Sequence, residues 1–171
     1  LWSNAITIDA GKDILIGGTG DDEIDGGDDS DLIFGDNVRL ERLTTLSQFT
    51  YWALETFGDD IIYGGAGDDE IFGQLGADTL YGDSLYGDSG HDVLFGDFGS
   101  ITRVIDQAGN PLLNPNGSWL KKFLLVSPET GSGDSMYGGA GDDTMFGGAG
   151  NDTMDGGTGD DYMEGNIGAD T

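Results

Sequence analysis

Single apolar residues recur every nine positions along most of this chain, and a short polar, glycine-rich stretch precedes each of them. Gly17-Gly18-Thr19-Gly20-Asp21-Asp22-Glu23-Ile24-Asp25 can be laid over Gly64 to Phe72, Gly138 to Phe146, Gly147 to Asp155 and Gly156 to Glu164. The shared pattern is G-G-x-G-x-D-x-U-x, with U apolar. Looser copies start at Gly26, Gly73 and Gly87, others end at Ile16, Tyr63 and Tyr137, and a twelfth runs from Gly165 to Thr171. Position eight holds Leu15, Ile24, Ile33, Ile62, Ile71, Leu80, Leu94, Met136, Met145, Met154 and Met163. A fixed short period predicts stacked identical units. Here six turn residues and three strand residues make one half-coil of an all-β spiral, with the position-eight side chain pointing inward and alternate turns stacked on the same side.

Position six is always Asp: Asp13, Asp22, Asp31, Asp60, Asp69, Asp78, Asp92, Asp134, Asp143, Asp152, Asp161 and Asp170. Three Gly-Asp pairs, ending at Asp36, Asp83 and Asp97, read as tightened turns that keep only this tail, giving fifteen candidate aspartates. Glycine at positions one, two and four permits positive φ and leaves carbonyl oxygens free to converge. The candidate carbonyls are those of Gly18, Gly20, Gly65, Gly67, Gly139, Gly141, Gly148, Gly150, Gly157 and Gly159. Asp29 occupies one such glycine position and is a residue type that tolerates the left-handed region. Carboxylates beside backbone carbonyls suit calcium, which takes six to eight oxygens; magnesium demands stricter geometry, and zinc wants nitrogen or sulfur. An ion between one turn and the next on the same side would share their aspartates, most clearly Asp134 with Asp152 and Asp143 with Asp161. Asp21, Asp59, Asp68, Asp142 and Asp160, at position five, read as solvent-facing acids.

Two stretches, 37–54 and 98–128, break the period. They divide the chain into a partial insertion arm at 1–7 and repeat blocks at 8–36, 55–97 and 129–171. Both insertions open with strand-like text, Val38 to Leu43 and Ile101 to Ile105, and read as hairpin-like excursions. The return arms, Phe49 to Leu54 and Trp119 to Val126, fit a strand or a short helix equally well. The terminal Gly165 to Thr171 echoes Gly73 to Thr79, so the array is expected to continue beyond both ends.

Composition sharpens the metal reading. The 171 residues include 33 Gly and 33 acids against 6 basic residues, a formal charge of −27. Such a charge opposes compaction unless cations neutralise it, and it disfavours nucleic acid as a partner. The core is thin for this length, so bound metal has to contribute folding energy. There is no cysteine, hence no disulfide or thiolate site. No apolar run reaches the roughly 18 residues of a membrane span. Arg39, Arg42, Arg103, Lys121 and Lys122 lie in the insertions, which carry about +3 against about −30 in the repeats. Tyr51, Trp52, Trp119 and Phe123 lie there too. These arms either pack against the spiral and cap its open faces, or offer a contact surface to neighbouring modules or copies.

The nonapeptide pattern resembles the RTX family of calcium-binding repeats, over about two-thirds of the chain. The resemblance implies a right-handed parallel β-roll, several bound calcium ions, type I export and an extracellular or cell-surface location. It assigns the ligand role to the position-six aspartates. Two functions follow: a structural module of a large secreted or surface protein (adhesin stalk, surface layer or filament), or an RTX region attached to a secreted enzyme or toxin. No nucleophile–base constellation or nucleotide motif occurs, and the single histidine, His91, stands alone at position five, so no enzyme activity is expected.

Overall fold

The computed structural model describes residues 5–7, 10–42, 49–53, 57–83, 89–108, 110, 112–115, 120–125 and 130–171, with the side chains of 39–42 and 49–53 left aside. Among these residues there are strands and no helix. The strands are β1 (Ala5–Thr7), β2 (Ile14–Gly18), β3 (Glu23–Asp25), β4 (Leu32–Asp36), β5 (Val38–Arg42), β6 (Phe49–Ala53), β7 (Ile61–Tyr63) and β8 (Glu70–Phe72). They continue as β9 (Thr79–Tyr81), β10 (Val93–Phe95), β11 (Gly99–Arg103), β12 (Lys121–Leu125), β13 (Ser135–Ala140), β14 (Thr144–Ala149), β15 (Thr153–Thr158) and β16 (Tyr162–Ile167). The twelve repeat strands form two six-stranded sheets, β1-β3-β7-β9-β13-β15 and β16-β14-β10-β8-β4-β2. Every pairing inside them is parallel, and the chain alternates between them: a parallel β-roll.

The register aligns position eight with position eight, as in Ile24↔Ile62, Leu94↔Met145 and Met136↔Met154. Leu15, Ile24, Ile33, Ile62, Ile71, Leu80, Leu94, Met136 and Met145 therefore form one buried column, with Ile6 and Met154 packed against it. One side chain per half-coil fills the gap between the sheets, as the nine-residue period predicts.

A second cluster lies outside this column. Phe34, Phe72, Phe95 and Phe146, at position nine of every other repeat, stack along the outer face of the β10-containing sheet with ring centroids 4.9–5.1 Å apart. That distance is the strand spacing, so sheet register sets the ring stacking. Tyr63, Tyr81 and Tyr137 do the same on the opposite sheet.

Both insertions are antiparallel hairpins, β5 with β6 and β11 with β12, which resolves the return arms as strands. The second hairpin lies on the phenylalanine face: Ile101, Phe123 and Leu125 pack on that cluster, and Phe123 contacts both Phe95 and Phe146. Arg103 and Lys121 each reach Glu70 Oε1 at 2.9 Å, and Glu70 is buried beneath them. Phe123 therefore packs within the molecule, on the flank of the roll. Trp119 lies outside the described residues, as do the side chains of Tyr51 and Trp52.

The Gly-Asp pairs before the insertions require a correction. Gly18 pairs with Asp36, so Asp36 stands at position two of its turn, not at position six. Asp83 N–H donates to Gly138 O as the position-two Gly65 N–H donates to Gly82 O, and Asp97 N–H likewise meets Gly147 O. These are not three tightened turns. Each is the first pair of an enlarged turn that resumes near position three and ends at Asp60, Asp92 or Asp134. The pairs resembled repeat tails because Gly-Asp fits both places, and only strand register separates them.

Candidate metal centre

The position-six aspartates line both edges of the roll. On one edge the backbone N–H of Asp22 donates to Asp60 Oδ1, Asp60 to Asp78, Asp78 to Asp134, Asp134 to Asp152, and Asp152 to Asp170, at 2.8–3.1 Å. On the other the series runs Asp13, Asp31, Asp69, Asp92, Asp143, Asp161, at 2.7–3.0 Å. The expected pairs Asp134 with Asp152 and Asp143 with Asp161 are two steps of these ladders. Asp22, Asp31, Asp60, Asp69, Asp78, Asp92, Asp134, Asp143 and Asp152 are buried, whereas Asp13, Asp161 and Asp170 are half-buried.

Along the interior of both ladders one carboxylate oxygen accepts the N–H of the preceding rung and the second does not. Oδ2 of Asp13, Asp31, Asp60, Asp69, Asp78, Asp92, Asp134, Asp143 and Asp152 is buried without a hydrogen-bond partner. That is a systematic violation of the rule that buried polar atoms are paired. All of these but Asp13 Oδ2 lie close to a second acceptor. A methyl group placed on Gly26 would lie 2.5 Å from Asp31 Oδ2 and 2.5 Å from the carbonyl oxygen of Gly64, the position-one residue of the next turn on that edge. The same convergence recurs at Gly64, Gly73, Gly82, Gly96, Gly138 and Gly147. Two acceptors facing each other with no donor between them call for a cation.

Position one thus requires glycine for space, whereas Gly18, Gly65, Gly139, Gly148 and Gly157 at position two have φ between 86° and 120°. The position-four residues Gly20, Gly67, Gly141, Gly150 and Gly159 also have positive φ, and a methyl on Gly159 would collide with the carbonyl of Gly141. The position-one carbonyls were not among the candidate oxygens of the sequence reading, where position one looks like any other glycine; the fold brings them beside the aspartates. Asp29 takes φ 73°, as its residue type allows.

Burial pushes Asp60 and Asp143 up to about 6, Asp69 and Asp97 up to about 7, Asp36, Asp78 and Asp92 up to about 8, and Asp134 up to about 9. Neighbouring carboxylates add to that loss of hydration, and backbone N–H groups oppose it without cancelling it: those of the ladder at position six, Leu75 at Asp36, and Ala149 and Ser132 at Asp97. Asp31 and Asp152 are raised for the same reasons. A row of anions held this way is unfavourable unless something positive sits among them. The donors are all hard oxygen, which fits calcium. Among the described residues no three Asp, Glu, His or Cys side chains group closely enough to hold a metal alone. A metal held here would need neutral oxygens to complete its shell, which the nearby carbonyls could supply.

Position five behaves differently. Asp21, Asp59, Asp68, Asp142 and Asp160 are exposed, as expected. They form a weaker outer ladder of their own, with Asp160 N–H donating to Asp142 Oδ1 at 2.9 Å and Asp142 N–H to His91 Nδ1 at 2.9 Å.

The family described as the RTX calcium-binding nonapeptide repeat matches in four copies, at residues 7–37, 56–84, 81–100 and 130–171, which is more than half of the chain. No curated protein and no solved structure matches the chain.

Proposed function

The chain belongs to the RTX calcium-binding nonapeptide repeat family, and from that premise we propose that it is a structural module of a large secreted or cell-surface bacterial protein. Its part would be that of an adhesin stalk, surface-layer or filament segment, exported by a type I route and folding around calcium outside the cell. The observation that carries the calcium-dependent part is the ladder of unpartnered Oδ2 atoms along both edges. The position-six aspartates would hold the ions, each shared between adjacent turns, with glycine carbonyls as neutral donors. Calcium would supply the positive charge that lets these carboxylates remain ionised and buried, so metal binding and folding become one equilibrium. The described parts of the second hairpin support a stiffening role, because its apolar strand face and two of its cations are spent on the roll itself. That reading leaves a segment built to hold shape.

Circular dichroism in chelator and in millimolar calcium tests the proposal. A cooperative gain of β signal on adding calcium is expected. Identical spectra would reject it. For the filament or surface-layer role, Trp52→Ser with Trp119→Ser should weaken calcium-dependent light scattering while leaving the β signal intact.

A further inference from the structure

The second hairpin leaves a groove of about 530 Å³ between itself and the edge that carries Asp31, Asp69, Asp92 and Asp143. One wall is the position-five column of that edge: Lys12, Ser30, Asp68, His91 and Asp142, one residue per turn. At one strand spacing per step, this column runs about 19 Å. Val93 and Thr144, neighbours on β10 and β14, form part of the floor. Leu120, Lys121 and Phe123 line the hairpin side, with Arg103 beside them.

The column's ladder atoms are already in use. Ser30 Oγ accepts the Asp68 N–H at 3.0 Å, and Asp68 Oδ1 accepts the His91 N–H at 3.1 Å. His91 Nδ1 then accepts the Asp142 N–H, and Asp142 Oδ1 the Asp160 N–H, both at 2.9 Å. What each side chain has left alternates along the wall: the Ser30 hydroxyl proton, Asp68 Oδ2, the His91 Nε2–H and Asp142 Oδ2. The order is donor, acceptor, donor, acceptor. A hydroxyl group both donates and accepts, so a row of hydroxyls meets every rung. Charge narrows the choice further. Lys12, Arg103 and Lys121 are matched in the groove by Asp68, Glu70 and Asp142, and Arg103 and Lys121 already bond Glu70 Oε1. Asp92 also lines the groove, but it is 1 % exposed and belongs to the inner ladder. A balanced groove in a chain of formal charge −27 selects neither an anion nor a cation.

We propose that this groove binds a neutral saccharide chain. The position-five column pairs with its hydroxyls, and the apolar surface of Val93, Leu120 and Phe123 takes the C–H faces of its rings. The volume, and the mix of apolar lining with a few placed polar groups, are those of a small-ligand site. The length suits several linked sugar units rather than one. The site needs the roll and the second hairpin folded together, and so needs calcium on the reading above, but it uses no oxygen of the inner ladders.

Calorimetric titration of the calcium-saturated chain tests this, with cellotetraose, laminaritetraose and mannotetraose as neutral probes and tetragalacturonate and tetraglutamate as anionic ones. Circular dichroism and the calcium midpoint are the folding controls. At least one neutral tetrasaccharide should bind, and more tightly than either anion. Asp142→Ala removes one charge-assisted hydrogen bond and should weaken that binding about tenfold. Thr144→Trp fills the groove from its floor and should abolish it. Neither change should move the calcium midpoint, and Asp142→Ala, at an exposed position, decides the matter if Thr144→Trp fails to fold. No binding of any neutral probe, tighter binding of an anion, or undiminished binding by Asp142→Ala overturns the proposal. Each of these outcomes, with the calcium-induced β signal intact, leaves the calcium reading standing.

Discussion

Replacing one buried carboxylate by its neutral isostere should have opposite effects with and without calcium. Asp134 is the sharpest position, since it is 2 % exposed, and burial, reinforced by Asp78 and its other acidic neighbours, pushes its carboxyl up to about 9. Its Oδ1 accepts the Asp78 N–H at 2.8 Å, a bond that an amide oxygen can keep, whereas its Oδ2 has no partner. In chelator at about pH 7.5, the folded chain must hold this group protonated, while the unfolded chain ionises it near 3.8. Each unit of that gap is worth about 1.4 kcal/mol, so the cost to the fold approaches about 5 kcal/mol as an upper limit. The sign follows directly. A carboxyl with a raised folded-state pKa imposes no penalty below about pH 4 and a growing one as pH rises towards about 9. Asp134→Asn removes that penalty and should stabilise the chelated chain at pH 7.5, with little effect near pH 4. With calcium the same change removes a carboxylate from two shared sites, and the calcium midpoint for folding should rise about tenfold. The pH at which β signal appears in chelator, which the change should raise, and calcium titration of the far-ultraviolet signal measure the two arms. Asp142→Asn, at an exposed position, is the control for general charge and should move neither arm by much. Asp134→Asn destabilising the chain in both conditions would refute the account. So would equal behaviour of Asp134→Asn and Asp142→Asn.

Other outcomes follow from the same geometry. Asp143→Ala should raise the calcium midpoint clearly and Asp142→Ala barely, as read by circular dichroism, because only Asp143 is buried in the ladder. The chelated unaltered chain should regain β signal as pH falls from about 8 towards 5, across the range where Asp60, Asp69, Asp78 and Asp92 take up protons. Phe123→Ser should lower thermal stability in calcium by about 2–4 kcal/mol, since it opens a gap against Phe95 and Phe146. Glu70→Gln should speed proteolysis between Arg103 and Lys121 without moving the calcium midpoint, because it weakens the hairpin's ionic anchor and touches no ladder residue.

The core column and both aspartate ladders were legible because they repeat. A period of nine names position eight as inward and position six as stacked whatever the neighbours are, and Ile24, Ile62 and Leu80 then fall into line. Non-periodic features were not legible. Asp36 could not be told from a position-six aspartate without knowing that it pairs with Gly18. The outer phenylalanine stack does have a signal, since position nine alternates between Phe34 or Phe72 and Tyr63 or Tyr81 in successive repeats, but reading it requires splitting the repeats into two sheets. The docking of the second hairpin rests on Glu70 meeting Arg103 and Lys121, residues far apart in sequence whose only hint was opposite charge. The burial of Gln74 at a glycine position has no signal in the repeat pattern and is seen only in the fold.

The three enlarged turns each take in their added chain just after position two, and the described stack on either side continues undisturbed. The added chain spans 84–88 in one case, 37–56 in another and 98–130 in the longest, yet Asp92, Asp60 and Asp134 all return to their rungs. Closing a longer loop costs only about 0.6 kcal/mol for each doubling of its length. The scaffold is therefore nearly indifferent to what is spliced in at that point. Asp83, Asp36 and Asp97 mark three such ports, two on one edge and one on the other, through which new surface can be acquired by simple lengthening of the gene while the repeating frame is inherited unchanged.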